Sequence, residues 1–157
     1  MTVSPADPQT IYGAYGELQV SHDAGKTWTV VGPLPDGLID LAASAKDAGR
    51  LYAATEGGLS LSTDGGLTWT TVLEGSPVSM IEVAPDGRLH AFVLGRGLLG
   101  SADDPLDFQT VSSAWGERFL LHLAVDPTNA DRLFGATQEG VILASFDGGK
   151  NWKTFGG

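Results

Sequence analysis

The chain has 157 residues, a formal net charge of −10, 22 glycines, 8 prolines and no cysteine. That length is enough for one domain with a real core. The acidic balance argues against nucleic acid and anionic membranes as partners, and the missing thiols exclude a disulfide framework. No apolar run approaches the roughly 20 residues that span a membrane. Residues 1–8 (MTVSPADP) lack the basic and apolar regions of a signal peptide.

The predicted elements are all strands. Residues 3–15 align with 125–137, matching Pro5 to Pro127, Ile11 to Leu133 and Gly13 to Gly135. On that alignment the first inner strand begins half-way along. The second repeat supplies strands at 38–44, 50–55, 58–62 and 68–73, and the third at 79–84, 88–94, 97–101 and 108–112. The fourth supplies 120–125, 132–137, 140–145 and 152–155. Each is apolar or alternating and is bounded by Gly, Asp or Pro. No stretch carries a helical period.

One short element recurs: SHDAGKTW at 21–28, STDGGLTW at 62–69 and SFDGGKNW at 145–152, with a worn copy, SADDPLDF, at 101–108. Copies about 40 residues apart with strand-like flanks have the size of one four-stranded propeller blade. The fold expected is therefore all-β: a β-propeller with four consecutive blades of up to four antiparallel strands, at about 1–32, 33–75, 76–113 and 114–157. The clipped opening strand predicts part of a larger ring, from a protein about twice this length. The terminal faces of such an arc would be open to self-association.

The element reads as a hairpin turn. Asp23, Asp64 and Asp147 accept bonds from backbone amides inside it. Gly25, Gly66 and Gly149 supply a positive φ. Thr27 and Thr68 open the return strand, and Trp28, Trp69 and Trp152 are expected to be largely buried between sheets. In the worn copy Pro105 replaces the Gly and Phe108 the Trp, so Ser101, Asp103 and Phe108 predict an irregular hairpin. Ser21, Ser62 and Ser145 complete the intact copies.

These residues resemble the Asp-box of bacterial neuraminidase repeats, pattern SxDxGxTW. The resemblance covers the whole chain and implies a propeller of the kind found in sialidases, sortilin-type receptors and photosystem II assembly factors. In those families the box is structural and lies opposite the ligand face. The resemblance also implies a periplasmic or extracellular setting.

Aligned inner strands place Asp40, Glu82 and His122 at one position, each flanked by apolar neighbours. Facing a central channel, they would form a ring suited to solvated lining or to a weakly bound divalent cation. No other cofactor is expected. Opposite the boxes, the loop 112–119 carries Trp115, Glu117 and Arg118, with Arg96 in a nearby turn. These suit a carbohydrate or protein ligand, or packing of Trp115 over a blade junction. No catalytic residue stands out: there is no arginine cluster, no visible triad and no carboxylate pair that can be singled out. The function expected is a non-catalytic binding or scaffolding propeller. The alternative is part of a sialidase-like glycoside hydrolase whose site needs an N-terminal half.

Overall fold

The computed structural model describes residues 1–156. Short apolar runs, each cut off by a tight turn, pair with their neighbours in sequence. Blade 1 contains β1 (Thr2–Val3), β2 (Ile11–Tyr15), β3 (Glu17–Ser21) and β4 (Thr29–Gly32). Blade 2 contains β5 (Leu38–Ala43), β6 (Leu51–Thr55), β7 (Gly58–Ser62) and β8 (Thr70–Glu74). Blade 3 contains β9 (Val78–Val83), β10 (Arg88–Val93), β11 (Gly97–Ala102) and β12 (Gln109–Ser112). Blade 4 contains β13 (Leu120–Asp126), β14 (Asn129–Thr137), β15 (Ile142–Ser145) and β16 (Lys153–Thr154). Each blade is an antiparallel sheet whose strands lie in sequence order. The inner strands β1, β5, β9 and β13 are neighbours in that order. The expected all-β propeller architecture holds.

Cores form where one sheet stacks on the next. Tyr12, Leu18 and Val20 of blade 1 pack on Leu41, Leu51 and Ala53 of blade 2. Tyr52, Ala54 and Leu59 of blade 2 meet Ile81, Val83, Leu89 and Leu99 of blade 3. Met80, Phe92 and Leu98 of blade 3 meet Leu120, Leu123, Leu133 and Leu143 of blade 4. Each buried leucine contributes about 1.5–3 kcal/mol relative to exposure. Among the described residues no core cluster joins blade 4 to blade 1.

The stacking has a direction. Trp69 packs into the core between blades 1 and 2, and Trp152 into the core between blades 3 and 4. Each box tryptophan thus faces the blade before its own. Trp28, in blade 1, belongs to no core cluster among the described residues and is 40% exposed. The expected burial of all three tryptophans is corrected for Trp28: its environment depends on a neighbouring sheet, which the local motif does not encode.

The three intact boxes share one bonding scheme. Asp23 Oδ1 accepts from Ser21 Oγ at 2.8 Å and from Thr27 N at 2.8 Å, and Oδ2 accepts from Thr27 Oγ1 at 2.7 Å. Gly25 N donates to Ser21 Oγ at 2.8 Å. Asp64 repeats this with Ser62, Gly66 and Thr68. Asp147 repeats it with Ser145 and Gly149, and Asn151 Nδ2 replaces the threonine hydroxyl at 2.7 Å. Bonding to its hydroxyl and amide donors holds each of the three carboxyls down at about 2. Gly66 has φ +95°, and a Cβ there would overlap Leu18 Cδ2 of blade 1.

The worn box departs further than an irregular hairpin. Ser101 Oγ donates to Ala102 O and accepts from Asp107 N at 2.7 Å, so it no longer serves Asp103. Asp103 turns away from its own hairpin and is 2% exposed. It accepts from Tyr52 Oη and, at 2.6 Å, from Ser44 Oγ, both in blade 2. Arg50 Nε lies 3.5 Å from it. The box aspartate has become a staple between blades 2 and 3. Phe108 keeps its place in the core between them.

Candidate functional site

Alternation along β5, β9 and β13 carries Asp40, Glu82 and His122 to the wall of one axial cavity of about 200 Å³. Met1, Thr2, Val3 and Pro5 line it from blade 1. Asp40 Oδ1 accepts from Leu41 N at 2.9 Å, and Oδ2 accepts from Ile81 N at 3.1 Å. Its carboxylate thereby bridges the inner strands of blades 2 and 3. Among the described residues Glu82 makes no side-chain hydrogen bond. Burial first, then the charge of Asp40, pushes its carboxyl up to about 7.

The three side chains share the cavity but do not close into a ligand set. Among the described residues no group of three His, Cys, Asp or Glu side chains is arranged to hold a metal ion. Asp40 and Glu82 form a carboxylate pair on the cavity wall, and His122 is exposed beside them. Inner strands of stacked sheets diverge with sheet twist, so matching register does not guarantee convergence.

At the end opposite the boxes, Trp115 is buried rather than displayed. Its ring meets Phe92 edge-on at 5.0 Å and lies 5.5 Å from Trp152. Its Nε1 donates to Ser112 O and Oγ, both at 3.1 Å. Trp115 therefore completes the core between blades 3 and 4. Arg96, Glu117 and Arg118 are exposed around it. Arg118 borders a cavity of about 270 Å³ on one side of the indole, and another of about 380 Å³ that also takes in Lys150 and Lys153 on the other.

Sequence reasoning passed over a second row of equivalent positions. Tyr12, Tyr52, His90 and Phe134 occupy matching places in β2, β6, β10 and β14, each one residue after the partner of a box serine. Tyr12 Oη donates to Ala48 O of blade 2 at 2.8 Å, and Tyr52 Oη reaches Asp103 of blade 3. His90 is shorter than tyrosine. It is 2% exposed, and among the described residues neither ring nitrogen has a hydrogen-bond partner. A cavity of about 570 Å³ at the box end of the blade 3–4 junction runs past it. Burial drives the imidazole down to about 4. The signal was available in the alignment of second strands, as a row of aromatic rings, Tyr12, Tyr52 and Phe134, with an imidazole at position 90.

A family model of the BNR/Asp-box repeat matches residues 19–30. Comparison with curated proteins finds no match. Among solved structures, an ancestral GH74 enzyme superposes with a TM-score of 0.77 at 18% identity, covering 99% of this chain and 23% of that one. The GH74 xyloglucanase from Xanthomonas campestris gives a TM-score of 0.69 at 20% identity, covering 98% of this chain and 29% of that one. YCF48 bound to D1 peptide gives a TM-score of 0.40 at 19% identity, covering 87% of this chain and 60% of that one, a likeness too loose to bear on function. At these identities the GH74 likeness shows the fold alone, and this chain spans less than a third of those two enzymes. The chain folds as four consecutive β-propeller blades and carries a BNR/Asp-box repeat at residues 19–30.

Proposed function

We propose that this chain is a non-catalytic binding or scaffolding propeller, and that its axial cavity receives a basic or hydrogen-bond-donating group of a protein or carbohydrate ligand. The observation that carries this reading is the division of labour between the two carboxyls. Asp40 has both oxygens on backbone amides and works as a strut between inner strands. Glu82 has no side-chain partner, and a donor arriving in the cavity would satisfy it and stabilise its charged form. Crosslinking and enrichment of ligands on wild-type and Glu82→Gln chains tests the reading. Loss of the enriched ligand in the variant supports it, and capture indifferent to Glu82 overturns it.

The second reading is a share in glycoside hydrolysis. It draws on the GH74 neighbours and on the juxtaposition of one carboxyl raised to about 7 with another carboxylate, the arrangement such chemistry uses. The engagement of Asp40 with two amides weighs against its acting as base or nucleophile. Assay of the full-length protein on a glycoside panel that includes xyloglucan decides. Turnover abolished by both Glu82→Gln and Asp40→Asn would establish the second reading and remove the first. An envelope or secreted setting belongs to the proposal and rests on resemblance alone. Fractionation of source cells checks it.

A further inference from the structure

The face that blade 3 turns toward blade 4 breaks a row that blades 1 and 2 keep. Strand register sets Tyr12, Val20 and Thr29 side by side across β2, β3 and β4. Tyr52, Leu61 and Thr70 repeat the row across β6, β7 and β8. In both rows the ring and the aliphatic side chain pack into the core with the following blade. Blade 3 has His90, Gly100 and Gln109 in the same places. An imidazole stands for the phenol, bare backbone for the aliphatic side chain, and a carboxamide for the hydroxyl. Two neighbouring side chains are cut down together, and the cavity of about 570 Å³ lies against them. A Cβ on Gly100 would stand 2.9 Å from Val111 Cγ2, so the bare position faces blade 4. Both walls belong to blades 3 and 4, whose sheets pack on each other within the chain.

The charges around this cavity are matched among themselves. Arg88 Nε donates to Asp86 Oδ2 at 2.7 Å, and Nη2 donates to Asp131 Oδ1 of blade 4 at 2.9 Å. Gly148 of the blade 4 box lies against that pair, where a Cβ would stand 3.3 Å from Asp131 Oδ1. Asp147 is held by its own box. Asp107 and Lys150, both exposed, border the cavity with opposite charges. The hydrogen-bonding groups left over are neutral. His90 is buried with neither ring nitrogen bonded among the described residues, and a buried polar group in that state is stabilised by any partner that reaches it. Gln109 Nε2 donates to Asp107 Oδ1 at 2.7 Å, which leaves Oε1 to accept from a ligand. Two strand spacings, about 9–10 Å, separate the backbones that carry His90 and Gln109. Bare Gly100 lies between them.

From this geometry we propose that the box end of the blade 3–4 junction binds a neutral polyhydroxylated ligand of one sugar ring, with His90 and Gln109 as its hydrogen-bonding groups and Gly100 as its floor. A hydroxyl both donates and accepts, so it serves either tautomer of the imidazole. The carbon face of the ring would lie on Gly100 and Val111, as an apolar wall with a few placed polar groups requires. None of Asp40, Glu82 or His122 lines this cavity, so the site is separate from the axial one.

Titration of the ¹⁵N-labelled intact chain with D-glucose, D-galactose, D-xylose and myo-inositol, each to roughly 100 mM, tests it by ¹H–¹⁵N spectra. At least one of these probes is expected to shift the Gly100 and Gly148 amides and the His90 ring nitrogens saturably. His90→Phe assigns the ring signals among the three histidines. Gly100→Val gives blade 3 an aliphatic residue like those of blades 1 and 2, and should weaken binding at least about tenfold. Gln109→Thr should weaken it in the same sense. Gln109 is exposed, so that variant should keep the wild-type thermal transition and serves where Gly100→Val fails to fold. Glu82→Gln should bind the probe as the wild type does. No saturable shift with any of the four probes, or binding that Gly100→Val and Gln109→Thr leave unchanged, would overturn the proposal. Saturable shifts confined to Asp40 and Glu82 would overturn it as well, and would leave the axial reading standing.

Discussion

Glu82 and His90 are titratable side chains that stacked sheets have pushed in opposite senses. The Glu82 carboxyl sits at about 7 in the folded chain against an ordinary 4.5, so the folded state holds its proton more tightly than the unfolded state. Its contribution is full below pH 4.5 and is lost as pH rises through about 7, a change of about 3 kcal/mol. Glu82→Gln should flatten that fall, read as urea midpoint against pH between 4.5 and 8. The His90 imidazole sits at about 4 against 6.5, so its contribution is present above pH 6.5 and is lost as pH falls through about 4, by a similar amount of about 3 kcal/mol. His90→Phe should remove the part of the acid limb that lies between pH 6.5 and 4 and leave the alkaline one. An acid limb that persists in this variant would assign it to other groups. Asp103 is the third residue of consequence. Asp103→Ala leaves Tyr52, Ser44 and Arg50 without their buried acceptor and should cost about 3–5 kcal/mol in a denaturant melt.

Among the elements, the box turns differ by neighbour rather than by sequence. Gly66→Ala combines backbone strain at φ +95° with a clash against Leu18 and should cost about 2–4 kcal/mol. Gly25→Ala carries strain at φ +87° but meets only ordinary contacts, and should cost about 1–2 kcal/mol. Trp152→Ala should likewise cost about 3–5 kcal/mol, because the ring is packed between blades 3 and 4 with Trp115. Trp28→Ala should cost well under half of that. Equal costs at the two tryptophans in chemical denaturation would mean that the box stabilises its own hairpin and not the junction.

For the whole molecule, stability should be graded along the arc. Blades 2 and 3 each have a core on both faces, whereas among the described residues blades 1 and 4 each have a core on one face only. Quasi-one-dimensional stacks open from their ends. Native-state hydrogen exchange should therefore be slowest in the inner three strands of blades 2 and 3 (β5 to β7 and β9 to β11) and fastest at the two-residue strands β1 and β16. Uniform protection across all four blades would show one cooperative unit instead.

The sequence by itself determined the local half of this protein. Strand after strand, the turn chemistry of Ser, Asp and Gly, and the repeat near forty residues follow from short-range propensity and bonding. The intact boxes accordingly have the geometry their residues imply, and the axial wall was legible from alternation in β5, β9 and β13. What lies between sheets was decided only by tertiary structure. Three intact boxes give one half-exposed tryptophan and two packed ones. Trp115 fills a core instead of meeting a ligand. Asp103 abandons its hairpin for Tyr52, and His90 is buried without a partner. Each of these depends on the next blade, whose offset and twist a single strand does not carry, because stacking energy belongs to a pair of surfaces and not to either one alone.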